Sequence, residues 1–192
     1  MSSERHWLEH VRYSIPQLRL YLVQENSLAQ QPVTVRTPKD AAKLLEPLRR
    51  APEEHFVAIH LNVRHEAIGV HEVSHGTLSA SLVHPREVFK AALVANSFAI
   101  IVCHNHPSGS ALVPSSEDFA TTKQLLQAGK VLGVSLVDHL IIGFSNFINA
   151  SYRIGKEGGN PQSGADEQMQ KTPACDNYVY SFRENYPHLW SN

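Results

Sequence analysis

The sequence lacks the features that mark secreted and membrane-spanning proteins. It has two cysteines, Cys103 and Cys175, which are too few for the disulfide framework of a small secreted domain. Its longest apolar runs, such as residues 98–103 and 140–144, are far too short to cross a bilayer, and its polar N-terminus has no signal-peptide core. We therefore expect a cytoplasmic protein without membrane association.

The sequence also lacks an excess of positive charge. Its 192 residues include 17 lysines and arginines against 18 acidic residues, which gives a formal net charge of -1. This balance gives no general electrostatic attraction between the protein and the phosphates of nucleic acid. The net charge does not decide whether a local basic patch exists. The chain has no internal repeat, phosphate-binding glycine loop or helix-turn-helix signature. Its length and its apolar share of 42% predict one folded domain with tails.

The pattern along the chain predicts an N-terminal extension, one domain, a linker and a tail. Residues 1–36 form the extension, with one candidate strand at 18–23, and residues 37–154 form the domain. Residues 155–173 are rich in glycine, glutamine, serine and charge, which is typical of a flexible linker. The aromatic tail, 174–192, is expected either to dock on a partner or on the domain itself, or to be a free terminus.

Apolar spacing and turn residues predict a mixture of helices and strands within the domain. The first half is predicted as a helix at 37–50 that Pro47 kinks or ends, strands at 56–61, 67–73 and 77–83, and a helix at 86–96 opened by Pro85. The second half is predicted as a buried central strand at 99–103, a loop at 104–114, a helix from Ser115 or Ser116 to Gly129, a strand at 134–143 and an edge strand at 146–154.

The most informative side chains are His104 and His106, which follow the predicted central strand. Side chains two residues apart in an extended chain project from the same side, so both imidazoles can meet one metal ion. Asp118, in the first turn of the next predicted helix, can supply a third donor and leave the fourth position of tetrahedral zinc to water. On its own, a histidine pair at a strand end is more often a polar, solvent-facing feature.

Ser115 supports the interpretation of Asp118 as a ligand. Residues three apart share a helical face, so Ser115 and Asp118 can both face the His104 loop. Their residue types also fit an ordinary helix N-terminus, with a serine cap and an acidic first turn. Spacing alone leaves both interpretations open.

A longer motif makes the resemblance to a known family specific. Residues 104–118 read HNHPSGSALVPSSED, which is His-x-His-Pro, seven residues and Ser-x-x-Asp. This motif resembles that of the JAMM metalloproteases. SHGTL at 74–78, VHPREVFK at 83–90 and the pair Asp138-His139 resemble the RadC-like branch of that group. The resemblance spans about residues 40–143. It implies an α/β fold of the MPN/JAB, cytidine-deaminase-like kind, with a mixed curved sheet flanked by helices.

The resemblance also implies roles for the motif residues. One Zn²⁺ per chain would be held by His104, His106 and Asp118. Ser115 would help to polarise the substrate carbonyl, and Glu54, matched to the upstream glutamate of the family, would be the general base. An acidic pair before a strand is usually only a solvated turn, but the match to the family motif favours Glu54 as the base and leaves Glu53 as the alternative. The implied activity is zinc-dependent hydrolysis of an amide or isopeptide bond in a peptide or protein substrate.

Three further residues are expected around the ligands. Asp138 and His139 interrupt an apolar strand, and a buried polar pair needs partners, so they either orient the site or form a satisfied core pair. Asn105 stands where many JAMM proteases have serine or threonine, which leaves the metal site in place but weakens the inference of protease activity.

Two other interpretations of the function remain. The domain can be a non-catalytic, metal-containing module that binds nucleic acid or protein. Longer RadC-like proteins carry a helix-hairpin-helix module, for which residues 1–36 are too short, so we expect a short form without it. Serine hydrolysis through Ser108 or Ser115 is disfavoured because the Gly-x-Ser-x-Gly elbow is missing.

Overall fold

The computed structural model of the chain describes residues 22–23, 33–76, 83–107, 112–143 and 178–191. Within them, six strands form one sheet, and helices cover both of its faces. The strands are β1 (Val33–Thr34), β2 (His55–Leu61), β3 (Glu66–His75), β4 (Ala99–Asn105), β5 (Ser135–Ile142) and β6 (Val179–Ser181). The α-helices are α1 (Pro38–Leu44), α2 (Pro85–Val94), α3 (Ser116–Leu132) and α4 (Phe182–Asn185), and 3₁₀ helices lie at Glu46–Arg50 and Pro187–Trp190.

The order of the described strands is β1-β3-β2-β4-β5-β6, with β4 and β5 parallel and every other pair antiparallel. A parallel pair needs a crossover connection, which α3 provides. β4 lies in the middle of the sheet, and all seven of its residues are buried. The structure confirms the predicted mixed α/β fold and the central strand, which continues beyond Cys103 to Asn105.

Two apolar layers attach the helices to the sheet. On one face, Ala41 of α1 belongs to the same buried cluster as Cys103 and Leu140 of the sheet. On the other face, Phe89 of α2 and Leu125 of α3 pack with residues of β2, β4 and β5. Side chains alternate along a strand, so the residue after Cys103 points towards α3.

Capping residues explain why the helices begin where the sequence predicts. Thr37 caps α1, Pro85 is the first residue of α2, and Ser115 caps α3. The predicted helix at 37–50 is divided, because α1 ends at Leu44 and the 3₁₀ helix that contains Pro47 follows.

The predicted end of α3 at Gly129 is wrong. The helix continues to Leu132 and is capped by Gly133, whose φ of 70° lies in the left-handed region that favours glycine. Gly129 lies inside the helix, where a Cβ atom would come within 2.5 Å of the Val134 carbonyl oxygen. This glycine therefore marks a close approach between the helix and the chain that follows it.

Segments before and after the central elements also join the sheet. β1 pairs with β3, and Val35, which follows it, is buried in the core, so the predicted extension contributes a strand to the sheet and one residue to the core. β6 pairs with β5, so the aromatic tail docks on the domain itself, which is one of the alternatives from the sequence. The Gly143 N–H donates to the Tyr178 carbonyl oxygen at 3.0 Å, which brings the two ends of the 144–177 connection together.

Several predicted segments lie outside the described residues: the strand at 77–83 except Val83, the edge strand at 146–154, the linker at 155–173, and the strand at 18–23 except its last two residues. In the described parts of the chain, no helix has the length and apolar character needed to span a membrane.

We predict that Gly129→Ala destabilises the fold, although alanine favours helix by about 1 kcal/mol. The added Cβ would lie 2.5 Å from the Val134 oxygen and 3.2 Å from Cζ of Phe89. Overpacking costs about 1–3 kcal/mol, and a clash with a backbone atom, which cannot rotate away, belongs in the upper part of that range. After the helical gain of about 1 kcal/mol is subtracted, urea unfolding should show a net loss of about 1–2 kcal/mol. The control, Val131→Ala at an 86% exposed position of α3, should change stability by less than about 0.5 kcal/mol. An unchanged or raised stability of Gly129→Ala would contradict the close approach.

Candidate metal centre

The end of β4 and the start of α3 bring three candidate metal ligands together. Nε2 of His104 lies 3.2 Å from Nε2 of His106 and 3.4 Å from Oδ1 of Asp118. One donor atom from each residue lies within 4.8 Å of the other two. His104 and Asp118 are buried, whereas His106 is partly exposed. These three residues, the ligand cluster, could hold one metal ion.

The sheet arranges the two histidines. β4 presents His104 on the face that α3 covers, because Cys103 before it faces α1. Beyond β4 the chain remains attached to β5, since the His106 N–H donates to the Ile142 carbonyl oxygen at 2.9 Å. The backbone thus continues along the sheet, and the two imidazoles meet as the His-x-His spacing predicts.

A capping box at the start of α3 orients the third donor. The backbone N–H and the hydroxyl of Ser115 both donate to Oδ2 of Asp118, at 2.7 and 2.8 Å. The Asp118 N–H donates back to the Ser115 Oγ at 3.1 Å. The helix cap therefore occupies Oδ2 and leaves Oδ1 facing His104.

The donor set suits a divalent transition metal. Burial lowers the pKa of His104 to about 4, against the opposing effect of the Asp118 carboxylate, so this imidazole is neutral at neutral pH. A neutral imidazole keeps a lone pair for ligation. Two imidazoles and one carboxylate match the open ligand sets of zinc sites, and other first-row divalent ions accept the same donors.

A chain of buried polar groups lies behind His104. Nδ1 of His104 lies 2.9 Å from Nε2 of His139, and Nδ1 of His139 lies 2.7 Å from Oγ1 of Thr122. The Thr122 hydroxyl donates to the Asp118 carbonyl oxygen at 2.7 Å. Burial holds the pKa of His139 well below its ordinary value, and the nearby histidines His104 and His106 lower it further. His139 therefore contacts a candidate ligand directly, as residues that orient metal ligands do.

Asn105 holds the segment that carries Glu54. Its side-chain oxygen accepts a hydrogen bond from the His55 N–H at 2.7 Å, and its side-chain amide donates to the Glu53 carbonyl oxygen at 2.9 Å. The Gly76 N–H donates to the Glu54 carbonyl oxygen at 2.9 Å. Three hydrogen bonds therefore fix the backbone around Glu54.

The pairing of β2 with β4 directs the chain at Glu54 towards the ligand cluster. Phe56 pairs with His104 in the antiparallel register of β2 and β4, so the chain two residues earlier runs towards His106. Burial raises the pKa of the Glu54 carboxyl, His106 lowers it and the Asp118 carboxylate raises it. A raised pKa suits a carboxylate that exchanges protons near neutral pH. The neighbouring Glu53 is exposed.

Asp138 contacts the C-terminal segment, residues 178–191. The Ser181 hydroxyl donates to Oδ2 of Asp138 at 2.6 Å, and the N–H groups of Arg183 and His139 donate to Oδ1 at 3.0 and 2.8 Å. Burial raises the pKa of Asp138, while these three bonds lower it. The two residues of the pair thus differ: Asp138 anchors β6 and α4, whereas His139 contacts His104.

Two residues near the site were missed by the sequence analysis. Thr122 follows Asp118 by four positions, so helical spacing could have placed it on the same face. Phe182 stacks on the His139 ring, with centroids 4.7 Å apart and planes at 8°. No local pattern could connect Phe182 with His139, because the contact depends on how the distant C-terminal segment returns to the sheet.

Comparison with known proteins supports the family resemblance that the motif indicates. A family model described as the RadC-like JAB domain matches residues 35–154. A UPF0758 protein of Shouchella clausii (strain KSM-K16) is 46% identical over 132 residues, which cover 68% of this chain and 56% of that protein. A UPF0758 protein of Clostridium novyi (strain NT) is 49% identical over 116 residues, which cover 60% of this chain and 50% of that protein. The chain thus spans about half the length of the curated relatives it matches.

We predict that the ligand cluster binds one divalent ion per chain, with Zn²⁺ as the probe. His104→Ala and His106→Ala should each abolish stoichiometric binding, and Asp118→Ala should weaken it, because each change removes one of three donors. Metal content after dialysis and calorimetric titration measure both effects. His188→Ala, at an exposed position of the C-terminal segment, is the matched control. Full occupancy in a variant that lacks both His104 and His106 would contradict the site.

Proposed function

This chain belongs to the RadC-like JAB domain family, and we propose from this premise that it is a zinc-dependent hydrolase. Its proposed reaction is the cleavage of an amide or isopeptide bond in a peptide or protein substrate. The observation that supports this proposal best is the convergence of His104, His106 and Asp118, which each place one donor atom within 4.8 Å of the other two. Among the described residues the cluster offers three donors, so a tetrahedral ion would keep one position for water.

The proposed chemistry assigns proton transfer to Glu54. Zn²⁺, when bound, supplies positive charge that lowers the pKa of a coordinated water and polarises the substrate carbonyl. Glu54 takes a proton from the attacking water as the water oxygen bonds to the carbonyl carbon. Glu54 then passes this proton to the amide nitrogen as the carbon–nitrogen bond breaks. The products are a carboxylic acid and an amine.

Ser115 is proposed to stabilise the negative charge that develops on the substrate oxygen. Its hydroxyl hydrogen is donated to Oδ2 of Asp118, so this role requires the hydroxyl to rotate towards the substrate. The Ser115 backbone N–H would still hold Oδ2 after that rotation. Ser115 is exposed, which leaves it accessible to a substrate.

The alternative is a non-catalytic module that binds metal without turnover. The UPF0758 names of the relatives specify no reaction, so assays of this chain decide between the two possibilities. Fluorogenic peptide and isopeptide libraries, each assayed with and without a chelator, separate the two possibilities. Metal binding without chelator-sensitive cleavage would favour the module.

We predict that Glu54→Gln leaves zinc affinity unchanged and lowers turnover by about 10²- to 10⁴-fold. Glutamine keeps the shape of the side chain and removes its basicity, while the three donors of the ligand cluster remain. Steady-state kinetics on a substrate found in the libraries, together with a zinc titration, measure the two effects. Glu53→Gln is the matched control and should retain activity. If Glu53→Gln lost turnover while Glu54→Gln kept it, the general base would be Glu53. Normal turnover in both variants would refute this mechanism.

We further predict that Asn105→Ala lowers kcat more than it changes KM, with zinc still bound. The change removes two hydrogen bonds that flank Glu54, and a small displacement of a catalytic group can cost up to about 100-fold in rate. Asn105→Asp keeps the acceptor for the His55 N–H but sets a charged oxygen against the Glu53 carbonyl oxygen, so it should not restore the lost activity. A normal kcat in Asn105→Ala would show that these bonds do not position Glu54.

A further inference from the structure

The direction of the Thr122 hydroxyl bond bears on where the protons lie in the hydrogen-bond chain behind His104. A hydroxyl has one hydrogen, and that of Thr122 is donated to the Asp118 carbonyl oxygen. With that hydrogen committed, Nδ1 of His139, 2.7 Å from the Thr122 oxygen, would have to be the donor, and the His139 hydrogen would lie on Nδ1. Nε2 of His139 is then an acceptor, and the hydrogen between the two rings belongs to Nδ1 of His104.

This order of protons prepares His104 for metal binding. With its hydrogen on Nδ1, His104 has its lone pair on Nε2, the atom that faces His106 and Asp118. In the reversed order, Nε2 would carry the hydrogen and could not ligate a metal. The tautomer of a neutral imidazole is set by the hydrogen bond that its other nitrogen makes.

Packing holds the His139 ring in the orientation that the hydrogen-bond chain behind His104 requires. Phe182 stacks on it with centroids 4.7 Å apart, and Phe56 meets it at 5.5 Å and 62°. Both His139 and Phe182 are 0% exposed. A flipped His139 ring would put carbon atoms where its two nitrogens now bond, which would leave buried polar groups without partners.

Phe182 comes from a segment beyond the region that the family model matches. The match ends at residue 154, whereas β6 and α4 lie within residues 179–185. Asp138 anchors this segment by accepting from the Ser181 hydroxyl and the Arg183 N–H. The Trp190 indole N–H provides a second anchor by donating to the Leu136 carbonyl oxygen at 2.8 Å.

We propose that Thr122, acting through His139, fixes His104 in its metal-ligating tautomer, and that Phe182 holds His139 in place. Thr122, His139 and Phe182 are therefore positioning residues outside the His-x-His and Ser-x-x-Asp motif. The proposal rests on the metal site of the proposed function. It gives the C-terminal segment a part in metal binding.

The test compares Thr122→Val with Thr122→Ser in the full chain. Valine has a similar shape and cannot accept from His139, whereas serine restores the hydroxyl. Competition with a chromophoric chelator measures the Kd for Zn²⁺, and imidazole ¹⁵N NMR shifts report the tautomer of His104 in zinc-free protein. We expect Thr122→Val to raise the Kd about 10- to 100-fold and to shift His104 away from the Nδ1–H tautomer. Thr122→Ser should restore most of the affinity and the wild-type tautomer.

The outcomes separate this proposal from the proposed function. Wild-type affinity and tautomer in folded Thr122→Val would overturn the proposal. If the wild-type chain binds no Zn²⁺, the metal site of the proposed function fails by itself, and the zinc-free ¹⁵N shifts still decide whether Thr122 sets the tautomer. Should Thr122→Val fold poorly, a Thr122→Ser variant with a changed tautomer would also overturn the proposal.

A second pair of variants tests Phe182. Phe182→Leu removes the stacked ring and should weaken zinc binding, with mixed His104 tautomers. Trp190→Phe is the matched control, because it removes the indole anchor of the same segment without touching His139. Equal loss of affinity in both variants would indicate general loosening of the segment and would overturn the role of Phe182.

Discussion

The antiparallel pairing of β2 with β4 is the constraint on which the rest of the site depends. It sets Phe56 opposite His104, so the strand that carries one candidate ligand also directs the chain that carries Glu54. Asn105 extends this connection by bonding the backbone on both sides of Glu54. A slip of one residue would turn every side chain of β4 to the other face. His104 would then face α1, and Cys103 would face α3.

The same groups that stabilise the fold also orient the ligand cluster. The α3 cap uses Oδ2 of Asp118 and thereby directs Oδ1 towards His104. Thr122, one helical turn later, bonds both to the α3 backbone and to His139. Because these groups are already held by hydrogen bonds, binding an ion would require little rearrangement of the protein. Such preorganisation is what makes fixed polar groups effective at a reacting centre.

The sequence predicts well those features whose determinants are local. The apolar run before His104 predicts the central strand, and Ser115 and Pro85 predict helix starts because capping chemistry acts over one helical turn. The structural role of Gly129 could not be predicted in this way, because it depends on the close approach of the Val134 backbone to the helix. The contact of Phe182 with His139 was hidden for the same reason: it joins residues that are far apart in the chain.

The hydrogen bond from Gly143 to Tyr178 has an evolutionary consequence. Gly143 follows β5 and Tyr178 precedes β6, and the bond between them joins two residues that lie 35 positions apart in the sequence. Antiparallel neighbours need only a two-residue turn between them. Loop closure costs only about 0.6 kcal/mol for each doubling of loop length. We therefore expect that residues can be gained or lost between β5 and β6 without displacing His106 or its partners. Alignments should accordingly place length differences between Gly143 and Tyr178 and keep the two flanking strands in register.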